Sequence, residues 1–349
     1  NTAGWIDLPR QVGARIAPLV GAEPDCVVAA DSTTVNLFKV VSAAVSLRPE
    51  RTKIVTETRN FPTDNYIAEG VIRQCGNRHR LVHVDRPQDI AAAIDDDTAV
   101  LMLTHVNYRD GSLHDMADLT RAAHDAGALV VWDLAHSAGA LRVDLAGCHA
   151  DFAVGCGYKY LNGGPGAPAF LYVAPRHHGG FRQPLSGWFG HRDPFEFTPQ
   201  YDAAGDIGQY LCGTPPVLSM VALDAALDVW DGVNITALRA KSQALTGYFI
   251  ELVETRCAGH GLTLISPRDP EARGSQVSFT HAQGGYAIIS ALIADGVIGD
   301  FRAPDVLRFG FTPLYTSFAD VWHAVDRMAA ILDEHRWDKP EFHARKAVT

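Results

Sequence analysis

Two residues of this chain are well placed to do chemistry: an aspartate and a lysine 26 positions apart, Asp133 and Lys159. Asp133 closes the apolar run Ala128-Leu-Val-Val-Trp132. Lys159 follows Phe152–Cys156 by way of Gly157 and Tyr158. Short apolar runs of this kind predict buried strands, and the spacing suits one crossover that returns both ends to the same edge of a sheet. A carboxylate there needs a cation or several donors. A lysine walled by apolar and aromatic residues loses hydration, which is the setting of a Schiff-base lysine. The competing readings are a structural Asp–Lys ion pair and a lysine snorkelling off a strand end.

Taken together the two side chains fit a pyridoxal phosphate site, Asp133 keeping a pyridine nitrogen protonated and Lys159 holding the aldehyde. Such a site needs a phosphate cradle. Ser32-Thr33-Thr34 stand before the apolar run Val35–Val45, where hydroxyls, free N–H groups and the helix dipole coincide. Ordinary N-capping accounts for the same cluster. A glycine-rich turn at Gly163, Gly164 and Gly166 lets backbone approach a bound group. Gly155-Cys-Gly-Tyr-Lys159 is not a P-loop, and no Gly-x-Gly-x-x-Gly follows the early strands.

The elements that must position these residues alternate. Helices are predicted over Asp7–Val20, Val35–Val45 and His114–Ala126, the last stopping at Gly127. Strands are predicted at Lys53–Thr56, Leu81–Val84, Val100–Thr104, Ala128–Trp132, Phe152–Cys156 and Ala169–Val173. Continuous apolar runs imply strands covered on both faces, and intervening helices imply right-handed crossovers. Beyond Val217 helices are expected at Leu218–Trp230, Ile235–Cys257, Tyr286–Asp295 and Phe318–His335. Strands are expected at Gln276–Phe279 and Val306–Phe311, and Ser317 with Asp320 forms a capping box. The fold class is α/β: a large domain with a mainly parallel, mixed sheet between helices, plus a smaller α+β C-terminal domain. The expected division is 1–22 as an N-terminal segment of the small domain, 23–230 as the large domain and 231–349 as the small one.

The 349 residues are 47% hydrophobic and 20% charged, with a net charge of −10, a globular balance. That charge argues against a nucleic-acid or anionic-membrane partner, and no apolar run is long enough to span a bilayer. Six cysteines without a Cys-x-x-Cys pair point to a reduced, cytoplasmic setting. His177-His178, and His79 with His83, lack acidic or cysteine companions at ligand spacing, so no metal is expected.

Asp133-Leu-Ala-His136 with Tyr158-Lys159-Tyr-Leu-Asn-Gly-Gly-Pro-Gly resembles kynureninase, a pyridoxal phosphate enzyme of the aspartate aminotransferase fold (PLP fold type I). Further matching stretches are Thr34-Val-Asn-Leu, Asn60-Phe-Pro-Thr-Asp64, Gly187-Trp-Phe-Gly-His191, Gly213-Thr-Pro-Pro216 and Leu307-Arg-Phe-Gly-Phe-Thr-Pro-Leu-Tyr315. Singly weak, they run in family order over nearly the whole chain. The resemblance implies hydrolytic cleavage of kynurenine to anthranilate and alanine, in tryptophan catabolism. It also implies several tens of residues ahead of Asn1, which would complete the small domain and the substrate entrance.

The same resemblance implies roles. Lys159 binds the cofactor covalently and shuttles the α-proton; Asp133 pairs with the pyridine nitrogen. Phe61 stacks on the ring, with plain core as its alternative. Thr33, Thr34 and Tyr158 hold the phosphate, with Thr104, Asp64 and His136 around the cofactor. Tyr158 is also the candidate proton donor. Arg308, in mid-strand among apolar residues, has the planar fork that suits the substrate carboxylate, the alternative being an internal salt bridge to an aspartate. Trp188 and Thr214 reach the neighbouring subunit's site in the family, which implies a homodimer with shared active sites. Gly213 stands toward the substrate, with Trp5 in its aromatic wall unless Trp5 is core. Thr214 after Gly213 resembles the bacterial form and points to kynurenine over 3-hydroxykynurenine. Two rivals remain. One is a cysteine desulfurase or aminotransferase on the same fold, although desulfurases typically carry histidine where Tyr158 stands. The other is a non-catalytic binding protein that has kept the fold.

Overall fold

The computed structural model describes residues 2–345. The chain divides into two compact units, Asn1–His105 with His114–Val233, and Val106–Leu113 with Asn234–Thr349. In the first unit the elements run α1 (Leu8–Ile16), β1 (Val27–Ala30), α2 (Thr33–Ser46), β2 (Lys53–Glu57), α3 (Pro62–Gln74), β3 (Arg80–Val84), α4 (Ile90–Ala93), β4 (Thr98–Thr104), α5 (Met116–Asp125), β5 (Leu129–Asp133), β6 (Phe152–Cys156), β7 (Ala169–Val173) and α6 (Val217–Ala226). Seven strands form one sheet in the order β1-β7-β6-β5-β4-β2-β3. From β3 to β6 neighbours are parallel, and β7 runs against both β6 and β1. Every residue of β1, β2, β4, β5, β6 and β7 is buried, and the edge strand β3 is half exposed. That is why their sequences read as continuous apolar runs. Three elements of this unit escape such a reading. β1 is only Val-Val-Ala-Ala, α4 is a single turn of four residues, and α3 carries few apolar residues, of which it buries Ala68, Val71 and Ile72.

The division differs from the one expected in two places. α1 packs on β1 within the first unit, where Gly13 admits the contact: a Cβ there would lie 2.2 Å from the Val27 carbonyl oxygen. Residues 106–113 belong to the second unit, because a turn closed by the Val106–Leu113 bridge pairs its backbone with Ala272, Arg273 and Gly274. Backbone pairing over such a separation leaves no local pattern.

At the amino edge of the sheet, ahead of β6, the fully enclosed Asp151 gathers His124 Nε2 at 2.8 Å, His177 Nε2 at 2.7 Å, Arg176 at 2.6 Å and the Val130 N–H at 2.9 Å. His177, which has no acidic companion at ligand spacing in sequence, pairs with this one from 26 residues away. Burial alone would raise the Asp151 carboxyl; the bonds from His124, His177, Val130 and Arg176 outweigh it and hold it below the usual carboxylate range. A depressed folded-state pKa gives stability that is present above the unfolded value of about 3.9 and is lost as pH falls below it. Asp151→Asn should therefore cost about 3 kcal/mol at neutral pH and flatten the acid limb of stability. Urea melts between pH 3 and 7 test this, and an unchanged acid limb would refute it.

The second unit contains α7 (Ile235–Arg256), β8 (Thr263–Leu264), β9 (Gln276–Thr280), α8 (Gly285–Ala294), β10 (Asp300–Arg302), β11 (Val306–Gly310), α9 (Phe318–Asp333) and α10 (Pro340–His343). Its strands form an antiparallel sheet in the order β10-β11-β9-β8. Phe249 of α7 packs on Phe279, Phe309 and Phe311, and Leu307 joins the same core. Ser317 and Asp320 form the capping box of α9. Among the described residues no helix is long and apolar enough to cross a membrane, no group of three or more His, Cys, Asp or Glu gathers as metal ligands, and all six cysteines are free thiols.

Candidate active site

Sheet register places the predicted pair. Thr104, the last residue of β4, lies across from Asp133, the last of β5, and Asp133 lies across from Val154 of β6. β6 ends two residues later and Lys159 follows in the turn beyond it. All three side chains therefore leave the carboxyl edge of the sheet, where open α/β sheets bind ligands. On the other flank of β6, Ala169 of β7 pairs with both Cys156 and Ala30. The end of β1, and with it the start of α2, is thus at the same edge, two strand spacings or roughly 10 Å from β6.

Asp133 is buried and accepts the Ala135 N–H at 2.7 Å. Asp64, in the first turn of α3, is equally buried and hydrogen-bonds Asp133. Burial raises the Asp64 carboxyl far above the ordinary range, and the charge of Asp133 raises it further; the Thr104 hydroxyl and Lys159 oppose this. Burial also raises Asp133, against the Lys159 charge and the Ala135 N–H. The push is stronger on Asp64, which favours the proton there and leaves the charge to Asp133. A buried carboxylate with one N–H and a shared proton still has room for a cationic donor. Asn60 supports the pair: it accepts the Thr104 N–H at 3.1 Å and the Thr104 hydroxyl, and donates to Thr56 at 3.2 Å.

Lys159 is half-buried, with Nζ 5.3 Å from the centre of the Tyr158 ring, and its ammonium has no hydrogen-bond partner among the described residues. Tyr158 is half exposed and hydrogen-bonds the Cys156 thiol. The glycines after Lys159 serve different ends. Gly163 packs against the turn itself, since a Cβ there would meet the Gly157 carbonyl oxygen at 2.8 Å. Gly164 and Gly166 have positive φ and open space beside them. Ser32 caps α2 by accepting the Val35 N–H at 3.3 Å. The capping reading therefore holds for Ser32, and Thr33 and Thr34 are left with first-turn N–H groups that have no intrahelical acceptor.

The remaining expected residues divide between the units. Phe61 precedes α3 and is 40% exposed, which excludes the core alternative, and His136 is partly buried in the turn after Asp133. Trp5 is 55% exposed and so is not core. Trp188 meets the exposed Phe195 edge-on at a ring separation of 5.7 Å and stacks with the exposed Phe197 at 6.1 Å. Gly213 and Thr214 line a small cavity together with Ala30 and Asp31. Arg308 belongs to the second unit. There it donates to the Tyr108 carbonyl at 2.7 Å and pairs with Asp300, which also holds Arg302 at 2.9 Å. The aspartate salt bridge weighed as its alternative is thus present. Two residues of the site region were given no role of their own in sequence: Asn60, quoted only within a matching stretch, and Lys39. Lys39 left a signal, a lone charge inside the apolar run of α2.

The donor set suits pyridoxal phosphate: a buried carboxylate, an unbonded lysine amine, an exposed aromatic ring and an open helix N-terminus on one side of one sheet. Comparison with known proteins agrees. Residues 238–328 match the family model for the kynureninase C-terminal domain, and residues 11–154 match the DegT/DnrJ/EryC1/StrS aminotransferase family. A kynureninase of Burkholderia mallei (strain SAVP1) is 54% identical, and one of Pseudomonas fluorescens 53% identical. Each alignment spans the whole of this chain and 85% of the relative. Among solved structures, an apo cysteine desulfurase from Thermococcus onnurineus NA1 superposes with a TM-score of 0.80 at 20% identity, covering 94% of this chain and 84% of that one. A C-DES mutant with glycine covalently linked to its PLP cofactor gives 0.78 at 17% identity, covering 94% and 86%.

Proposed function

The chain belongs to the kynureninase family, and we propose that it hydrolyses the Cβ–Cγ bond of kynurenine to give anthranilate and alanine, with pyridoxal 5′-phosphate as cofactor. The observation that carries this is identity above 50% along the whole chain, supported by Asp133 and Lys159 at one sheet edge.

When bound, pyridoxal phosphate supplies an electron sink for charge that develops on the substrate carbons. The chain's own residues do the rest. Thr33 and Thr34 would present N–H groups and hydroxyls to the phosphate, Tyr158 would add its hydroxyl, and Asp133 would accept the pyridine N–H. Phe61 would offer a ring face to the cofactor, with Thr104, Asp64 and His136 lining its site. Lys159 Nζ takes and returns the substrate α-proton. Cleavage requires water to add to the aryl ketone and the departing β-carbon to gain a proton. Tyr158 Oη, half exposed next to the lysine, is assigned both transfers. Tyr158→Phe should slow product formation by about 100-fold or more and α-proton exchange far less. Deuterium exchange followed by NMR separates the two, and equal slowing would remove Tyr158 from this role.

Arg308 is assigned to the substrate carboxylate, its fork oriented by Asp300 and the Tyr108 carbonyl. Arg308→Lys should raise KM about tenfold or more with a smaller change in kcat, because an ammonium cannot bind two oxygens side by side. An unchanged KM would leave Arg308 a purely structural residue. Trp5 and Gly213 are placed at the substrate. Trp188 and Thr214 are placed at a site shared with a second copy in a homodimer, a reading that the exposed ring cluster of Trp188, Phe195 and Phe197 supports. The cytoplasm is the compartment that fits six free thiols.

Incubation with kynurenine, and separately with its 3-hydroxy analogue, tests the whole proposal. Aminobenzoate fluorescence and alanine should appear with kynurenine first. Failure with both substrates in cofactor-saturated protein would defeat it.

A further inference from the structure

Lys39 is wholly enclosed within unit 1, on a helix whose neighbouring positions Leu37, Val40 and Val41 are core. An ammonium is rarely buried without strong partners, and here the partners lie on two connecting segments, the turn after β1 and the stretch before Gly213. Nζ lies 2.5 Å from Asp31 Oδ2 and 2.5 Å from the Tyr210 carbonyl oxygen. It also bonds the Cys212 thiol, whose pKa burial raises and the ammonium lowers.

Asp31 is the residue that turns β1 into α2. Its φ of 45° lies in the left-handed region, which costs a non-glycine residue about 1–2 kcal/mol and persists only where the surroundings hold it. They do so at both ends: the Ala169 N–H bonds the Asp31 carbonyl at 2.9 Å, and Lys39 grips the carboxylate. Directly after this turn come Ser32, Thr33 and Thr34. On the other side, Tyr210 and Cys212 lead straight into Gly213 and Thr214, which line a cavity with Asp31.

We infer that Lys39 is a positioning residue for cofactor phosphate recognition: its buried ammonium locks the Asp31 turn that aims the N-terminus of α2, and ties that turn to the Gly213–Thr214 segment. This rests on the phosphate-site reading above. Lys39 touches neither cofactor nor substrate in this role. It sets where the Thr33 and Thr34 N–H groups point.

The test is equilibrium dialysis of the cofactor-free chain against pyridoxal 5′-phosphate and against pyridoxal, which lacks the phosphate. It is run well below the melting temperature of each variant. Lys39→Met keeps the volume and removes the charge. It should weaken pyridoxal 5′-phosphate about tenfold or more while leaving pyridoxal within about twofold. A merely structural lysine would lower the melting temperature and move both ligands together or neither, and either result overturns the inference. If Lys39→Met does not fold, Asp31→Asn serves, since asparagine tolerates the same backbone. It should show the same phosphate-selective loss, and wild-type binding of both ligands would overturn the inference. Thr34→Val separates the two layers of the argument. Selective loss there with none in Lys39→Met refutes the lysine's role alone. No selective loss in Thr34→Val refutes the phosphate site on which that role depends.

Discussion

Replacing Lys159 with alanine should lower kcat for kynurenine by at least about 1,000-fold while the protein still retains cofactor through gel filtration. Lys159 is the amine that the sheet delivers beyond β6, half-buried, with no hydrogen bond to its ammonium among the described residues and the Asp133–Asp64 carboxyl pair nearby. The other lysine of this region cannot stand in for it, because Lys39 is committed to Asp31 and Tyr210. Cofactor should still bind through the α2 N-terminus and Asp133, so binding and turnover separate. Steady-state rates, with absorbance of the gel-filtered protein, check both halves. Borohydride reduction of the wild-type protein and peptide mapping should place the cofactor on Lys159. Retained turnover in the variant would withdraw the residue from its role and with it the account of the site.

The second large effect is expected at Asp133, and its diagnostic value lies in contrast with Asp64. Asp133→Asn would remove the charge proposed to keep the pyridine nitrogen protonated. A charge-assisted hydrogen bond is worth about 3 kcal/mol at most, so a loss of at least about 100-fold in kcat is expected once the electronic effect is included. Asp64→Asn should cost less than about tenfold, because the proton already held by Asp64 makes it a neutral partner, and an amide can likewise donate. Circular dichroism melts establish that both variants fold. The reverse order of effects would mean that the proton sits on Asp133, and the assignment of charge within the pair would fall.

The pair shows how far a sequence can carry an argument. Asp133 and Lys159 were legible because each ends a continuous apolar run, and the strands at Phe152–Cys156 and Ala169–Val173 lie where the pattern put them. The proton shared by Asp64 and Asp133 was not legible. Asp64 sits in α3, a helix too poor in apolar residues to announce itself, and its partner is 69 residues away. The burial that raises its pKa is a property of the packed edge, not of its neighbours in the chain. Arg308 illustrates the same divide. Its place in mid-strand among apolar residues was legible, and Leu307 and Phe309 beside it are buried, but the choice of Asp300 as its partner depends on β10 pairing with β11.

By itself, then, the order of residues determined the alternating α/β pattern, the lysine and its acid, the helix start that offers a phosphate cradle and the family to which the chain belongs. These are local or additive signals: apolar period, glycine punctuation and the residue types at strand ends. Only the tertiary structure decided which residues meet across the sheet and what those meetings do. It brought β1 beside β7 so that α2 starts at the same edge as Asp133 and Lys159, put residues 106–113 in the second unit, raised the buried Asp64 carboxyl, and enclosed Lys39 between two turns. Each outcome follows from long-range register and desolvation, which depend on neighbours that the chain acquires only by folding.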